Sequence, residues 1–164
     1  MDQEKVHVFE KAGLGKAPFF FDGWFEGNAT YIPETPMAKV TACDYCSTLI
    51  KNCFRIKSSD GKSFIVGSDC VKKTGDAGLI KIVNEEVKKQ KYQRESARIK
   101  EAEKIVEMLK PYLLEQPHPY YSSKTGYDYV VYCFNWGGHA GRLKAARIVE
   151  TVAKLSKFNA GAKD

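Results

Sequence analysis

Cys43-Asp44-Tyr45-Cys46, then Ser58-Ser59-Asp60-Gly61, then Gly67-Ser68-Asp69-Cys70-Val71 set out a knuckle, a hairpin and a helix start in that order. A Cys-x2-Cys pair on a tight turn lets two thiolates face one ion. The runs Asn52 to Lys57 and Lys62 to Val66 are β-rich, and Asp60-Gly61 between them is a strong hairpin signal. Ser68 or Asp69 can cap a short helix that carries Cys70 in its first turn, and Gly75 can end it. This is the layout of a treble-clef zinc site. Thiolate ligands without a redox context favour a four-coordinate structural Zn²⁺, which substitutes for core that a small hairpin lacks.

The ligand set read from the sequence is Cys43, Cys46 and Cys70 with a fourth group still to be found. A full treble clef places its second helix ligand three residues after the first, and here that position is Lys73. Cys53, nearest in sequence and on the hairpin strand, is the first choice. Asp69 follows, and His7, His118, His139 and Cys133 are more remote. The plain alternative is a set of buried free thiols, since cysteine is often a small core residue. A redox pair would open a helix after a strand in a thioredoxin-like unit, and that context is missing.

The five cysteines are an odd number, and the polar start Met1-Asp2-Gln3-Glu4-Lys5 does not read as a secretion signal. A reducing cytoplasm is therefore expected, and the sequon Asn28-Ala29-Thr30 carries no weight. The 164 residues are 43% apolar and 28% charged, which suits one folded domain or two very small ones joined by a helix. No apolar run is long enough to span a bilayer.

The net charge of +6 is unevenly placed. Residues 1–50 hold four Lys or Arg against seven Asp or Glu, residues 51–110 fifteen against nine, and residues 111–164 seven against four. A polyanionic partner would be met by the later segments. The densest basic stretch is Lys88, Lys89, Lys91, Arg94 and Arg98, partly offset by Glu85, Glu86 and Glu95. These five are the candidate nucleic-acid contacts, with a merely solvated helix face as the alternative.

The expected class is α+β. Residues 1–75 form a zinc-binding antiparallel β module, residues 76–114 a long basic and amphipathic helix, and residues 115–164 a small helical segment. Val6 to Phe9 alternates like a strand. Phe19 to Phe25 reads as a second strand, bent or turned at Asp22-Gly23, and Pro33 and Pro36 mark a loop. Asp76 can cap the helix that follows. Ile99, Ala102, Val106, Leu109 and Leu113 recur at helical spacing, whereas Lys88 to Arg98 is almost wholly polar. An unbroken helix over 79–110 would be roughly 48 Å long, so the helix is expected either to protrude or to break near Lys88–Arg94. Gln116-Pro117-His118-Pro119 reads as a linker. Thr125-Gly126-Tyr127-Asp128 has the form of a capping box, so Tyr127 to Trp136 is read as helix, although its Tyr and Val content suits a strand equally. Ala145, Ile148, Val149, Val152 and Leu155 form the apolar face of a last helix, and Ala160 to Asp164 a frayed tail.

Two further places could meet phosphate. Gly13-Leu14-Gly15-Lys16 could cradle it with backbone N–H groups, with Lys11 and Lys16 alongside, but the spacing is not that of a Walker loop and a surface turn explains it as well. Gly137-Gly138-His139-Ala140-Gly141-Arg142 precedes a helix, so His139 and Arg142 could contact an anion there. Phe19, Phe20, Phe21, Trp24 and Phe25 could stack on bases, or simply fill an aromatic core. No catalytic signature is present, and a non-enzymatic role is expected.

The strings Phe9-Glu10-Lys11-Ala12-Gly13-Leu14-Gly15-Lys16-Ala17-Pro18-Phe19, Cys43-Asp44-Tyr45-Cys46, Asp60-Gly61 and Val66-Gly67-Ser68-Asp69-Cys70-Val71 resemble a family of small, mostly uncharacterised proteins encoded by bacteriophages and other mobile elements. The resemblance implies a zinc-knuckle module in a phage or bacterial cytoplasm and carries no assigned activity. Members often have Gly after the second knuckle cysteine, where this chain has Ser47. The expected function is zinc-stabilised binding of DNA or RNA with low sequence specificity. The alternative is a protein–protein inhibitor or adaptor acting on a host defence or replication enzyme.

Overall fold

The computed structural model describes residues 6–27 and 40–161, with side chains described as far as residue 156. The chain is α+β, with an antiparallel β part followed by a helical part. It divides into two compact units, Met1–Lys89 and Gln90–Asp164. The sequon at Asn28 and the Pro33 and Pro36 loop lie outside the described residues.

The first unit opens with one helical turn, α1 (Val8–Lys11). Val6 to Phe9 is therefore not a strand. Alternation over four residues is too short to distinguish the two, and here His7 Nδ1 accepts from the N–H of Phe9, which caps a turn and lets Phe9 enter the core. β1 (Phe19–Glu26) runs antiparallel to β4 (Asn52–Ser58), with its register shifted by a bulge between Phe21 and Gly23. The Asp22-Gly23 signal is thus a bend within one strand. β5 (Ser63–Val66) returns along β4 after the Asp60-Gly61 turn, giving the order β1-β4-β5. A separate two-stranded ribbon, β2 (Thr41–Ala42) with β3 (Leu49–Ile50), flanks the knuckle. α2 (Ser68–Lys72) follows β5.

The core of this unit is mainly aromatic and β-branched. Phe9 sits at its centre, with ring centroids 5.1 Å from Phe64, 5.5 Å from Tyr45 and 5.6 Å from Phe19. Ile56, Val66, Val71, Leu79 and Val83 close around it. The β1 aromatics behave chiefly as core: Phe19 is buried, Phe21 and Trp24 pack against the cluster, and Phe25 lies under the Arg55 guanidinium. Phe20 alone among them is exposed.

α3 (Ala77–Ile105) is continuous, so of the two expected alternatives the break near Lys88–Arg94 does not occur. Asp76 does cap it, accepting from the N–H of Leu79 at 2.9 Å. Residues 76–114 are not a separate segment. Leu79 and Val83 belong to the first core, and Ile99 and Ala102 to the second. The helix ends before Pro111, whose ring cannot follow an uninterrupted turn, and α4 (Lys110–Leu114) restarts with that proline in its first turn. α5 (Gly126–Trp136) begins in the expected capping box: the Thr125 side chain accepts from the N–H of Asp128, and the Asp128 carboxylate accepts from the N–H of Thr125. α6 runs Gly138–Gly161, so the tail expected from Ala160 is helical for its first two residues. The second core is the 3-4-3-4 stripe Ile99, Ala102, Val106, Leu109 and Leu113, packed with Tyr129, Val130 and Cys133 of α5 and Ala145, Val149 and Val152 of α6. Leu155, expected on that face, is exposed.

Candidate metal centre

The knuckle is built by short-range hydrogen bonds. Cys43 N–H donates to Thr48 O at 2.9 Å, and Ser47 N–H donates to Cys43 O at 2.8 Å. Ser47 has φ 59°, the left-handed region that glycine adopts most readily. Two contacts fix the knuckle to the rest of the unit. Asp44 reaches β5 twice, its N–H donating to Ile65 O at 2.8 Å and its carboxylate accepting from Ile65 N–H at 2.6 Å. Ile50 of the ribbon lies over Gly67, where a Cβ would come 3.1 Å from Ile50 Cγ2. Gly67 is the N-cap of α2, so neither Ser68 nor Asp69 caps it with a side chain, and Cys70 follows in the first turn.

This places three sulfurs together. Cys43 Sγ is 3.7 Å from Cys70 Sγ, Cys46 Sγ is 3.3 Å from Cys70 Sγ, and all three lie within 4.8 Å of one another. All are free thiols. A tetrahedral ion with Zn–S bonds of about 2.3 Å separates its sulfurs by roughly 3.8 Å, so the observed spacings suit one shared ion.

The electrostatics of the three are uneven. Thr48 holds the exposed Cys46 thiol down to about 6, first through its side chain, 3.4 Å from the sulfur, and then through its backbone. Burial pushes Cys70 up to about 12, with the neighbouring sulfurs Cys46 and Cys43 adding to it. Close-packed thiolates repel, so without a cation only the solvated member ionises readily. A bound cation reverses this by holding every ligand as thiolate.

Cys53 is not part of the group. It is fully buried on β4, with its sulfur 3.8 Å from Ile50 O and 3.9 Å from Lys51 O, and burial raises its pKa. Asp69 is exposed and paired with Lys72 at 3.1 Å. His7 Nδ1 is used at α1, and its Nε2 is buried without a hydrogen-bond partner. His118 accepts from the N–H groups of Tyr120 and Tyr121, His139 pairs with Glu95, and Cys133 is core. Among the described residues, the metal-ligating group within 4.8 Å therefore holds three members. An open cleft beside Cys46 and Cys70 is bordered by Thr48, Asn52, Ser68 and Lys73.

The other candidate contacts separate clearly. In the glycine-lysine loop, the Lys16 N–H donates to the Asp60 carboxylate, and Ser59 donates to Lys16 O and Ala17 O. Gly15, at φ 126°, abuts Ser58 so closely that a Cβ would come 2.3 Å from its Oγ. A carboxylate already takes the N–H that would hold an anion, so the loop is a structural turn; Lys11 and Lys16 are exposed beside it. His139 stacks on Tyr92 and pairs with Glu95, and Arg142 pairs with Glu103, so both are engaged by acids of α3. On α3, Lys89 pairs with Glu86, Lys91 with Glu95, and Arg98 with Glu150. Lys88, Lys89, Lys91, Arg94 and Arg98 are all exposed.

Comparison with family models, curated proteins and solved structures gives no match to this chain. No helix among the described residues is long and apolar enough to cross a membrane. Two features were not read from the sequence: in the first unit the hydroxyl of Thr48 beside Cys46, and in the second the aromatic loop at Tyr120-Tyr121. The first could have been found from a hydroxyl residue two places after the second knuckle cysteine. The second was obscured by its two prolines, which read as a linker.

Proposed function

We propose that the chain is a zinc-stabilised protein that binds nucleic acid with little sequence preference. The three-thiol group supports zinc over harder cations, because thiolates suit a borderline-soft ion and no carboxylate among the described residues joins the group. The ion would fix the knuckle to α2 and supply rigidity that a three-stranded sheet and a two-residue ribbon lack. Resemblance in sequence alone extends this reading to a phage or bacterial cytoplasm.

The observation that carries the nucleic-acid half is the character of α3 between its two cores. No residue from 84 to 98 is buried, and five of them are Lys or Arg. Lys89 and Lys91 are exposed in their pairs with Glu86 and Glu95, and pairs open to water contribute about 0–1 kcal/mol, so phosphates can exchange for those two carboxylates, whereas Glu150 holds Arg98 at two points. Contacts of this kind position a polyanion without reading bases.

The test is a mobility-shift and salt titration on single- and double-stranded DNA and RNA. Affinity should fall with salt at a log–log slope of about −0.9 per duplex phosphate contacted. Joint replacement of Lys88, Lys89, Lys91, Arg94 and Arg98 with Glu should remove most of that slope and leave the zinc content unchanged. Absence of binding to all four polymers at low salt would defeat the reading and make the inhibitor or adaptor role the leading one.

A further inference from the structure

The second unit carries an aromatic and cationic surface that neither the metal centre nor the α3 stretch explains. The loop before α5 turns on His118, whose Nδ1 accepts from the N–H groups of both Tyr120 and Tyr121 at 3.1 Å. That double acceptance holds two consecutive tyrosines on one side chain. Both remain open to solvent, Tyr120 at 68% and Tyr121 at 59%, and Tyr132 of α5 is exposed at 60%. Tyr120, Tyr121 and Tyr132 line a pocket of about 380 Å³. A second pocket of about 400 Å³ shares Tyr129 with it and is apolar along Pro117, Ile148, Val152 and Leu155.

Cations stand around these rings. Lys124 Nζ is 5.3 Å from the Tyr121 centroid, and Lys144 Nζ is 5.3 Å from that of Tyr129 and 5.8 Å from that of Tyr120. Arg147 borders the second pocket one helical turn after Lys144. The acid that lines these pockets is Asp128, and its carboxylate is turned to Thr125 in the capping box. Exposed rings beside three cations, of which Lys124 has Asp128 and Arg147 has Glu150 in electrostatic reach, match the chemistry of an unpaired nucleotide: a flat base to stack and a phosphate to neutralise. A duplex keeps its bases stacked inside and cannot offer them to these rings.

We propose that the His118–Tyr132 surface binds single-stranded nucleic acid, with bases stacked on Tyr120, Tyr121 and Tyr132 and phosphates met by Lys124, Lys144 and Arg147. This rests on the nucleic-acid reading above and adds to it a site and a preference for single strands. Trp136, one turn beyond Tyr132 on α5 and 79% exposed, extends the stacking surface along the helix.

The experiment uses the full zinc-loaded chain, with fluorescence anisotropy on a labelled oligothymidylate and on a duplex of equal length. The double variant Tyr120→Ala with Tyr121→Ala removes two exposed rings, of which Tyr120 also meets the buried Tyr129 edge-on; circular dichroism and zinc content check its fold. Base stacking on an aromatic ring is worth roughly 1–3 kcal/mol per base, so single-strand affinity should fall at least about fivefold, while duplex affinity stays within twofold. Tyr120→Phe with Tyr121→Phe should keep wild-type affinity, because the ring and not the hydroxyl does the stacking. If the alanine variant binds the single strand as tightly as wild type, the site is overturned while the nucleic-acid reading stands. Equal losses on single strand and duplex would overturn the preference. The same pair of measurements is made with RNA probes, and if the wild-type chain binds none of the four, both readings fall.

Discussion

Cys70 Sγ lies 3.3 Å from Cys46 Sγ and 3.7 Å from Cys43 Sγ, although 24 and 27 residues separate them in the chain. Between them run the second half of the knuckle ribbon and the β4–β5 hairpin. The knuckle is tied to β5 through Asp44 and Ile65 and rests on the start of α2 through Ile50 and Gly67. The sulfurs are therefore brought together by ordinary backbone and apolar contacts, and an ion would find them close to its own bond geometry.

The first prediction is compositional. Native mass spectrometry should find about one Zn²⁺ per chain. Cys43→Ser, Cys46→Ser or Cys70→Ser should lose it, whereas Cys53→Ser, whose sulfur faces the Ile50 and Lys51 carbonyls, should keep it. Retention of zinc by Cys70→Ser would remove the three-thiolate assignment.

Metal uptake should also release protons. Cys46 is held down to about 6, so near neutral pH it is already a thiolate, whereas Cys70 is pushed up to about 12 and enters the site as a thiol. Binding at pH 7.5 must take at least the Cys70 proton, and apparent affinity should rise with pH. In the metal-free protein the signs differ. The lowered Cys46 value favours the fold above the ordinary thiol range, an advantage lost as pH falls toward 6; the raised Cys70 value costs stability as pH climbs from the ordinary range toward 12. Calorimetry in buffers of different ionisation enthalpy counts the protons, and a count of zero would contradict this account.

Ser47 occupies a left-handed backbone position at φ 59°. Ser47→Gly removes the Cβ conflict and should stabilise the protein by up to about 1 kcal/mol, while Ser47→Val should lower the melting temperature. Thermal melts of the three proteins at matched zinc content would show it. A lower melting temperature for the glycine variant would mean that the serine contributes something the knuckle geometry does not account for.

The capping box at α5 gives a test confined to the second unit. Thr125→Ala leaves the Asp128 N–H without its acceptor and should cost about 1 kcal/mol. Zinc content should not change. Chemical denaturation measures the first quantity and native mass spectrometry the second.

Local signals carried much of this structure. Asp60-Gly61 marked a turn that forms, Thr125 to Asp128 marked a box that closes, and the stripe from Ile99 to Leu113 is buried as its spacing required. The same kind of reasoning failed where a neighbour distant in sequence decides the outcome. Cys53 is closest in sequence to the other ligands, yet strand β4 aims its sulfur at two carbonyls outside the thiol group. The glycine-lysine loop has the composition of an anion cradle, but Asp60, from the hairpin turn, takes its N–H. The helix across Lys88 to Arg94 survives without a buried face there because each end is secured by a separate core, which no window on the polar stretch can show.

Of the three clustered cysteines, Cys43 and Cys70 are buried and Cys46 is exposed. Electrophiles and oxidants attack thiolates they can reach. Alkylation or peroxide oxidation should therefore begin at Cys46 and strip one anchor from the ion while the buried two stay reduced. The outermost sulfur is the point at which chemical stress would reach this centre, and metal loss would follow modification of that single residue.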